Sequence, residues 1–144
     1  MRRGGTAGMT GKSPRKKVDA LYWQGRSRAA QACLDAAQQA YLLAEPGQNC
    51  NPVISQIVLS AMAFGDSLTA RRAQVVNQQD HARAPRLLRD VLGNLLPEGQ
   101  ERRYRRILSF KDEVRNGTRQ ASRDDAGRLL ADLEEFNRWA QELF

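Results

Sequence analysis

The segment that most constrains the fold runs from Asn51 to about Arg72, because it is apolar on nearly every side of a helix. Placing its residues at helical intervals gives an apolar arc much wider than the stripe of a surface helix. The arc is formed by Ile54, Ile57, Val58, Leu59, Ala61, Met62, Ala63, Phe64 and Leu68. Other elements must cover such a helix, so we expect it to be the most central one.

Four further segments show the three- and four-residue spacing of amphipathic helices, over residues 18–43, 84–96, 101–116 and 122–143. Strand signals are almost absent, since Val75 and Val76 alone are too few to form a sheet without partners. The predicted fold class is therefore all-α, an antiparallel bundle of about five helices joined by short loops.

Two helix starts carry recognisable signals. Asn51 precedes Pro52, which is typical of an N-cap followed by proline at the first helical position. Ser122 with Asp125 three residues later resembles a capping box in which aspartate replaces glutamate. These signals predict that the second helix is capped by Asn51 and the fifth by Ser122.

The basic charge is concentrated at the start of the chain. Of the net charge of +7, most belongs to residues 1–17, which lack acids and helical periodicity. We expect a disordered basic tail over residues 1–17 and one helical domain over residues 18–144. The tail is either a solubilising extension or an arm that adds salt-dependent affinity for nucleic acid.

The remaining composition predicts a cytoplasmic protein. No apolar run of membrane-spanning length and no signal-peptide pattern is apparent, so we expect no membrane association. Two cysteines and one histidine show no metal-ligand spacing, and no cofactor motif is present. We therefore predict neither a metal nor a cofactor.

Two charged residues fall on apolar faces. Asp66 lies on the arc of the second helix, where an isolated carboxylate would be strongly unfavourable. Lys111, the only lysine after residue 17, shares a stripe of the fourth helix with Tyr104 and Ile107. Asp66 and Lys111 are interpreted either as a bridge that fixes helix register or as part of a polar cleft that holds a phosphate or nucleotide group.

The sequence RRYRR surrounds Tyr104 with basic side chains. Helical spacing predicts that Tyr104 points inward while its neighbours are exposed. A solvated face is the simpler interpretation, and contact with RNA phosphates is the alternative. The candidate nucleic-acid contacts are Arg102, Arg103, Arg105 and Arg106.

His81 is the only histidine and follows Asp80 in the loop before the third helix. One interpretation is local capping and packing, with the imidazole bonded to Asp66 or to a loop carbonyl. The other is a catalytic group, which requires His81 to lie near Arg115 and Lys111 in space.

The runs NPVISQIVLSAMAFGDSLTA, QQDHARAPRLL, LSFKDEVRNG and FNRWAQEL together resemble the HEPN superfamily, in particular small bacterial stand-alone members. The resemblance covers most of residues 18–144. It implies an HEPN-like bundle that handles RNA or nucleotides and forms a homodimer. It also implies a metal-independent ribonuclease, active or divergent, of a toxin–antitoxin or defence system, with a nucleotidyltransferase-type antitoxin as partner.

The site implied by the resemblance is an arginine, a polar residue and a histidine a few residues further on. Arg115 and Asn116 match the first two positions, but residues 120–122 are Gln, Ala and Ser. The missing histidine puts catalysis by the family route in doubt and leaves His81 as the substitute. Two other functions remain open: a non-catalytic module that binds itself or a protein partner, and a DNA-associated protein that acts through its tail.

Overall fold

The computed structural model describes residues 15–78, 80–116 and 120–144, and gives only the backbone of residues 115 and 116. Five helices dominate it: α1 (Tyr22–Leu43), α2 (Asn51–Ala73), α3 (Ala84–Leu92), α4 (Glu98–Asn116) and α5 (Arg123–Leu143). Two short strands, β1 (Arg15–Lys17) and β2 (Val75–Asn77), and 3₁₀ turns at His81–Arg83 and Gly93–Leu95 complete it. The prediction of an all-α helical bundle is confirmed.

Helix α2 is the centre of the bundle, as predicted, because it packs against α1, α3, α4 and α5. Val58, Ala63 and Phe64 are all buried although they point to different sides of the helix. Two residues of the predicted arc line a surface groove instead: Met62 is only partly buried, and Leu59 remains 48% exposed.

The length and composition of α2 would also suit a membrane span, with a mean hydropathy of 1.4 over the tested window. The expectation that the chain has no apolar segment of membrane-spanning length is therefore wrong for α2. However, 72% of that window is buried inside the bundle, which is typical of the core helix of a soluble protein.

The α1–α2 pair is held by small side chains and by hydrogen bonds between the two helices. Ala30 and Ala37 of α1 are fully buried, so the helix backbones can approach closely. Ser60 Oγ donates to the Ala30 carbonyl oxygen over 2.7 Å, and Ser67 Oγ donates to the Trp23 carbonyl oxygen over 3.0 Å. The later residue on α2, Ser67, bonds to the earlier residue on α1, Trp23. The two helices therefore run antiparallel, and the bonds fix their register.

One of the two predicted caps is confirmed. Ser122 and Asp125 exchange both bonds of the capping box at the start of α5. The Asn51 cap is wrong by one residue, because α2 already begins at Asn51 and its N-cap is Cys50. Asn51 Oδ1 accepts a hydrogen bond from the Ala121 amide over 2.9 Å, which ties the start of α2 to the segment before α5.

A two-stranded antiparallel sheet corrects two expectations. Lys16 pairs with Val76 and Lys17 with Val75, so residues 15–17 are not part of a disordered tail and residues 75–77 do form a strand. The pairing was not predictable from the loop alone, because its partner lies about 60 residues away. Residues 1–14 of the predicted tail lie outside the described residues.

Gly65 of α2 makes room for a side chain of α4. Tyr104 is 2% exposed and stacks on Phe136 with ring centroids 5.1 Å apart. A Cβ atom added at Gly65 would lie 2.2 Å from the Tyr104 hydroxyl oxygen. The space that a side chain would need at Gly65 is therefore taken by a buried ring that cannot easily move.

We predict that Gly65→Ala destabilises the protein by about 1–3 kcal/mol, because overpacking outweighs the gain in helix propensity. The matched control is Gly25→Ala in α1, where the nearest atom, on Arg28, is 4.0 Å away. That variant should be more stable than the wild type by up to about 1 kcal/mol. Urea denaturation measures both, and a stabilised Gly65→Ala variant would contradict the packing described here.

Candidate functional site

Asp66 lies between α1 and α2, and its partner is Arg26. The Arg26 Nη2 donates to Asp66 Oδ2 over 3.3 Å, and the Asp66 side chain is 22% exposed. The predicted pairing with Lys111 is therefore wrong: α1, not α4, carries the ionic partner. Helical periodicity gives the direction of Asp66 around α2 but not the identity of the facing residue.

The environment of Asp66 does not favour its ionised form. Burial raises its pKa from 3.8 to about 6, although the charge and hydrogen bond of Arg26 act in the opposite direction. The Arg26 Nε is buried without a hydrogen-bond partner among residues 15–78, 80–116 and 120–144. The pair is thus incompletely satisfied, which makes it a register contact of low stability value.

His81 and Lys111 come together away from the Arg26–Asp66 pair. They share a cleft of about 400 Å³ between the His81–Arg83 turn and α4, which we call the His81 cleft. Its lining is formed by Asp80, His81, Ala82, Pro85, Arg105, Leu108, Ser109, Lys111 and Asp112. The structure therefore brings the only histidine close to the only lysine of the bundle, which is one part of what the catalytic interpretation requires. The Arg115 side chain lies outside the described residues, and Asp66 does not line this cleft.

An apolar groove of about 360 Å³ adjoins the same two residues. It is lined by Ser55, Val58, Leu59, Met62, His81, Lys111 and Val114. His81 and Lys111 thus lie on the boundary between a polar cleft and an apolar groove. Leu59 is exposed because it forms one wall of this groove.

The charged side chains of the His81 cleft differ in whether they already have a hydrogen-bond or ionic partner. Asp80 Oδ1 accepts from the Ala82 amide over 2.9 Å and so caps the short turn, which confirms its predicted capping role. Arg105 is paired with Glu101 over 3.0 Å. Lys111 has no ion pair within the described part of the chain. An anionic ligand can therefore bind Lys111 without first displacing a carboxylate.

The RRYRR segment behaves mainly as a solvated, ion-paired face. Tyr104 points inward, as predicted. Each arginine has an acidic neighbour: Arg102 with Glu98, Arg103 and Arg106 with Asp132, and Arg105 with Glu101. Arg105 alone of these four also lines the His81 cleft.

Arg115 and Asn116 continue α4 one turn beyond Lys111, and their side chains lie outside the described residues. The segment in which the resemblance implies a histidine has structural roles instead. The Ala121 amide donates to Asn51, its carbonyl oxygen accepts from Cys50, and Ser122 caps α5. A histidine in this segment would have to coexist with these contacts.

Two residues that sequence reasoning missed are Arg26 and Arg83. Arg26 was hidden because its position on α1 has no unusual neighbours. Arg83 directly follows the His81–Ala82 pair and lines a second cleft with Arg15 and Arg86. Its proximity to His81 along the chain was the available signal.

Comparison with protein-family models, curated proteins and solved structures finds no match for this chain. Within the described ranges, no group of three His, Cys, Asp or Glu side chains is arranged to hold a metal ion. The function is therefore argued from the site.

We predict that Asp66→Asn stabilises the protein at pH 7 to 8 and has little effect near pH 4. The folded state holds the Asp66 proton up to a pKa of about 6, against 3.8 for the ordinary carboxyl, so wild-type stability falls as pH rises through this window. The full shift of the Asp66 pKa corresponds to about 3 kcal/mol in the free energy of unfolding. Urea denaturation at several pH values measures it.

The control for this experiment is Glu101→Gln. A hydrogen bond from Arg89 holds the pKa of Glu101 below its ordinary value, so its stabilising effect is present above that value and is lost as pH falls. Glu101→Gln should therefore destabilise the protein at neutral pH and have less effect in acid. A pH-independent effect of Asp66→Asn would show that its carboxylate is well solvated.

Proposed function

We propose that this protein binds RNA or a nucleotide in the His81 cleft and the adjoining apolar groove. The observation that carries the proposal is Lys111, a cation with no ion pair among the described residues, placed beside His81 where the two surfaces meet. A phosphate at this boundary would gain a charge-assisted hydrogen bond.

The groups around Lys111 match the parts of a nucleotide. The ammonium suits a phosphate, and Asp112 offers an acceptor for a ribose hydroxyl. Val58, Leu59 and Met62 give an apolar wall on which a base can lie. An inorganic anion would use only the first of these contacts, so the mixed lining supports a nucleotide unit.

The site also supports a specific acid–base chemistry. In RNA cleavage, His81 would take the 2′-hydroxyl proton as the 2′-oxygen attacks phosphorus. Lys111 would then protonate the departing 5′-oxygen as the P–O bond breaks. This assignment replaces the histidine that the HEPN resemblance implies, and makes the protein a divergent, cytoplasmic member if the resemblance reflects ancestry.

We predict that Lys111→Ala weakens binding of a single-stranded RNA by about tenfold, because a hydrogen bond to a charged group contributes about 1.5–3 kcal/mol. Fluorescence anisotropy with labelled RNA measures the dissociation constant. The matched control is Arg102→Ala, which removes one charge from the same helix outside both surfaces. Equal losses in the two variants would exclude the named site.

We predict that His81→Ala abolishes any cleavage of RNA in the presence of EDTA and changes RNA affinity less than Lys111→Ala does. Cleavage needs the imidazole proton transfer, whereas binding depends mainly on the ammonium. Product formation on a gel separates the two effects. Persistent cleavage in the His81→Ala variant would exclude the acid–base assignment.

A further inference from the structure

A second cleft, lined by three arginines, lies beside the His81 cleft. It has a volume of about 390 Å³, and we call it the arginine cleft. It is lined by Arg15 of β1, Asn77 of β2, Arg83 of the 3₁₀ turn, and Arg86, Leu87 and Asp90 of α3.

The arginine cleft has an excess of cations. Three guanidinium groups line it, against one carboxylate, Asp90, among its described lining residues. Asp90 accepts from Arg15 over 2.6 Å and from Arg86 over 3.1 Å. Arg83 has no ion pair within the part of the chain that the structure describes. Guanidinium groups in this arrangement suit phosphate oxygens, which they can bind through two parallel hydrogen bonds.

The two clefts are neighbours because consecutive residues line them. Ala82 lines the His81 cleft and Arg83 the arginine cleft; likewise Pro85 lines the first and Arg86 the second. Since adjacent Cα atoms are about 3.8 Å apart, the clefts meet across a single turn of chain.

Two adjacent clefts that each hold a cation with no ion pair among the described residues, Lys111 in one and Arg83 in the other, favour a ligand that carries phosphates at regular intervals. A mononucleotide has its phosphates at one end and would occupy the His81 cleft alone. A polynucleotide has one phosphate for every nucleotide, so a strand that leaves the His81 cleft places its next phosphates near Arg83 and Arg86.

We infer that the ligand is a single-stranded polynucleotide that continues from the His81 cleft over the 3₁₀ turn into the arginine cleft. This inference rests on the proposed function and names its substrate class. Arg83 and Arg86 then contact the backbone, while His81 and Lys111 contact the nucleotide unit.

The test compares two ligands on the full chain by fluorescence anisotropy: a labelled mononucleotide and a single-stranded RNA of about eight nucleotides. The double variant Arg83→Ala/Arg86→Ala should weaken binding of the oligonucleotide by about tenfold and leave binding of the mononucleotide unchanged. For the double variant, the slope of log binding constant against log salt concentration should also become shallower. The expected change is about 1.4, because two phosphate contacts on a single strand are lost. Lys111→Ala should weaken binding of both ligands.

The matched control is Arg128→Ala/Arg138→Ala, which also removes two exposed arginines, but from α5, where each is paired with an acidic side chain. It should leave both affinities unchanged. A DNA strand of the same sequence should bind through the arginine cleft with equal sensitivity to the double variant. If Asp112 accepts from a 2′-hydroxyl, DNA should bind less tightly than RNA.

The outcomes separate the two proposals. If Lys111→Ala weakens both ligands while the Arg83/Arg86 variant weakens neither, the inference is wrong and the proposed function stands. Equal loss of oligonucleotide binding in the α5 control would also overturn it, since the effect would then be general charge. If neither ligand binds the wild-type protein, the proposed function fails and the inference fails with it.

Discussion

The need to cover α2 on most of its sides governs how the other helices are placed. Val58, Ala63 and Phe64 face different directions and are all buried, so neighbours are required around most of the helix. On the α1 side small residues permit a close approach, and Ser60 and Ser67 bond directly to the α1 backbone. On the α4 side Gly65 leaves space for the Tyr104 ring. The contacts that set register are therefore different on the two sides of the same helix.

Asp66 adds an ion pair to this close α1–α2 contact, but burial of its carboxylate is unfavourable. Its raised pKa means that the bond from Arg26 does not fully offset the loss of water around the carboxylate. An ionic group of this kind contributes more to choosing one helix alignment than to the free energy of folding. The same position shows why a charged residue in an apolar helix is not by itself a ligand site, since Asp66 lines neither the His81 cleft nor the arginine cleft.

Much of the bundle could be predicted because helix periodicity and capping are local signals. The capping box at Ser122 and the inward direction of Tyr104 depend on residues a few positions away, and both are confirmed. The partner of Asp66 and the β1–β2 pairing depend on which distant segments meet, information that periodicity does not contain. For the candidate site, sequence reasoning named His81 and Lys111, which do share a cleft, but not Arg83 and its neighbours across the turn.

The β1–β2 sheet also determines where the start of the chain is attached. Because Arg15 pairs with Asn77 and lines the arginine cleft, the first described residue of the chain lies at that cleft. Arg2, Arg3 and Lys12 precede it in the sequence. For a polyanion held at the cleft, contact with them would be an intramolecular step, at an effective concentration far above that of the free protein. A short pair of strands would in this way convert a basic terminus into a local extension of a binding surface.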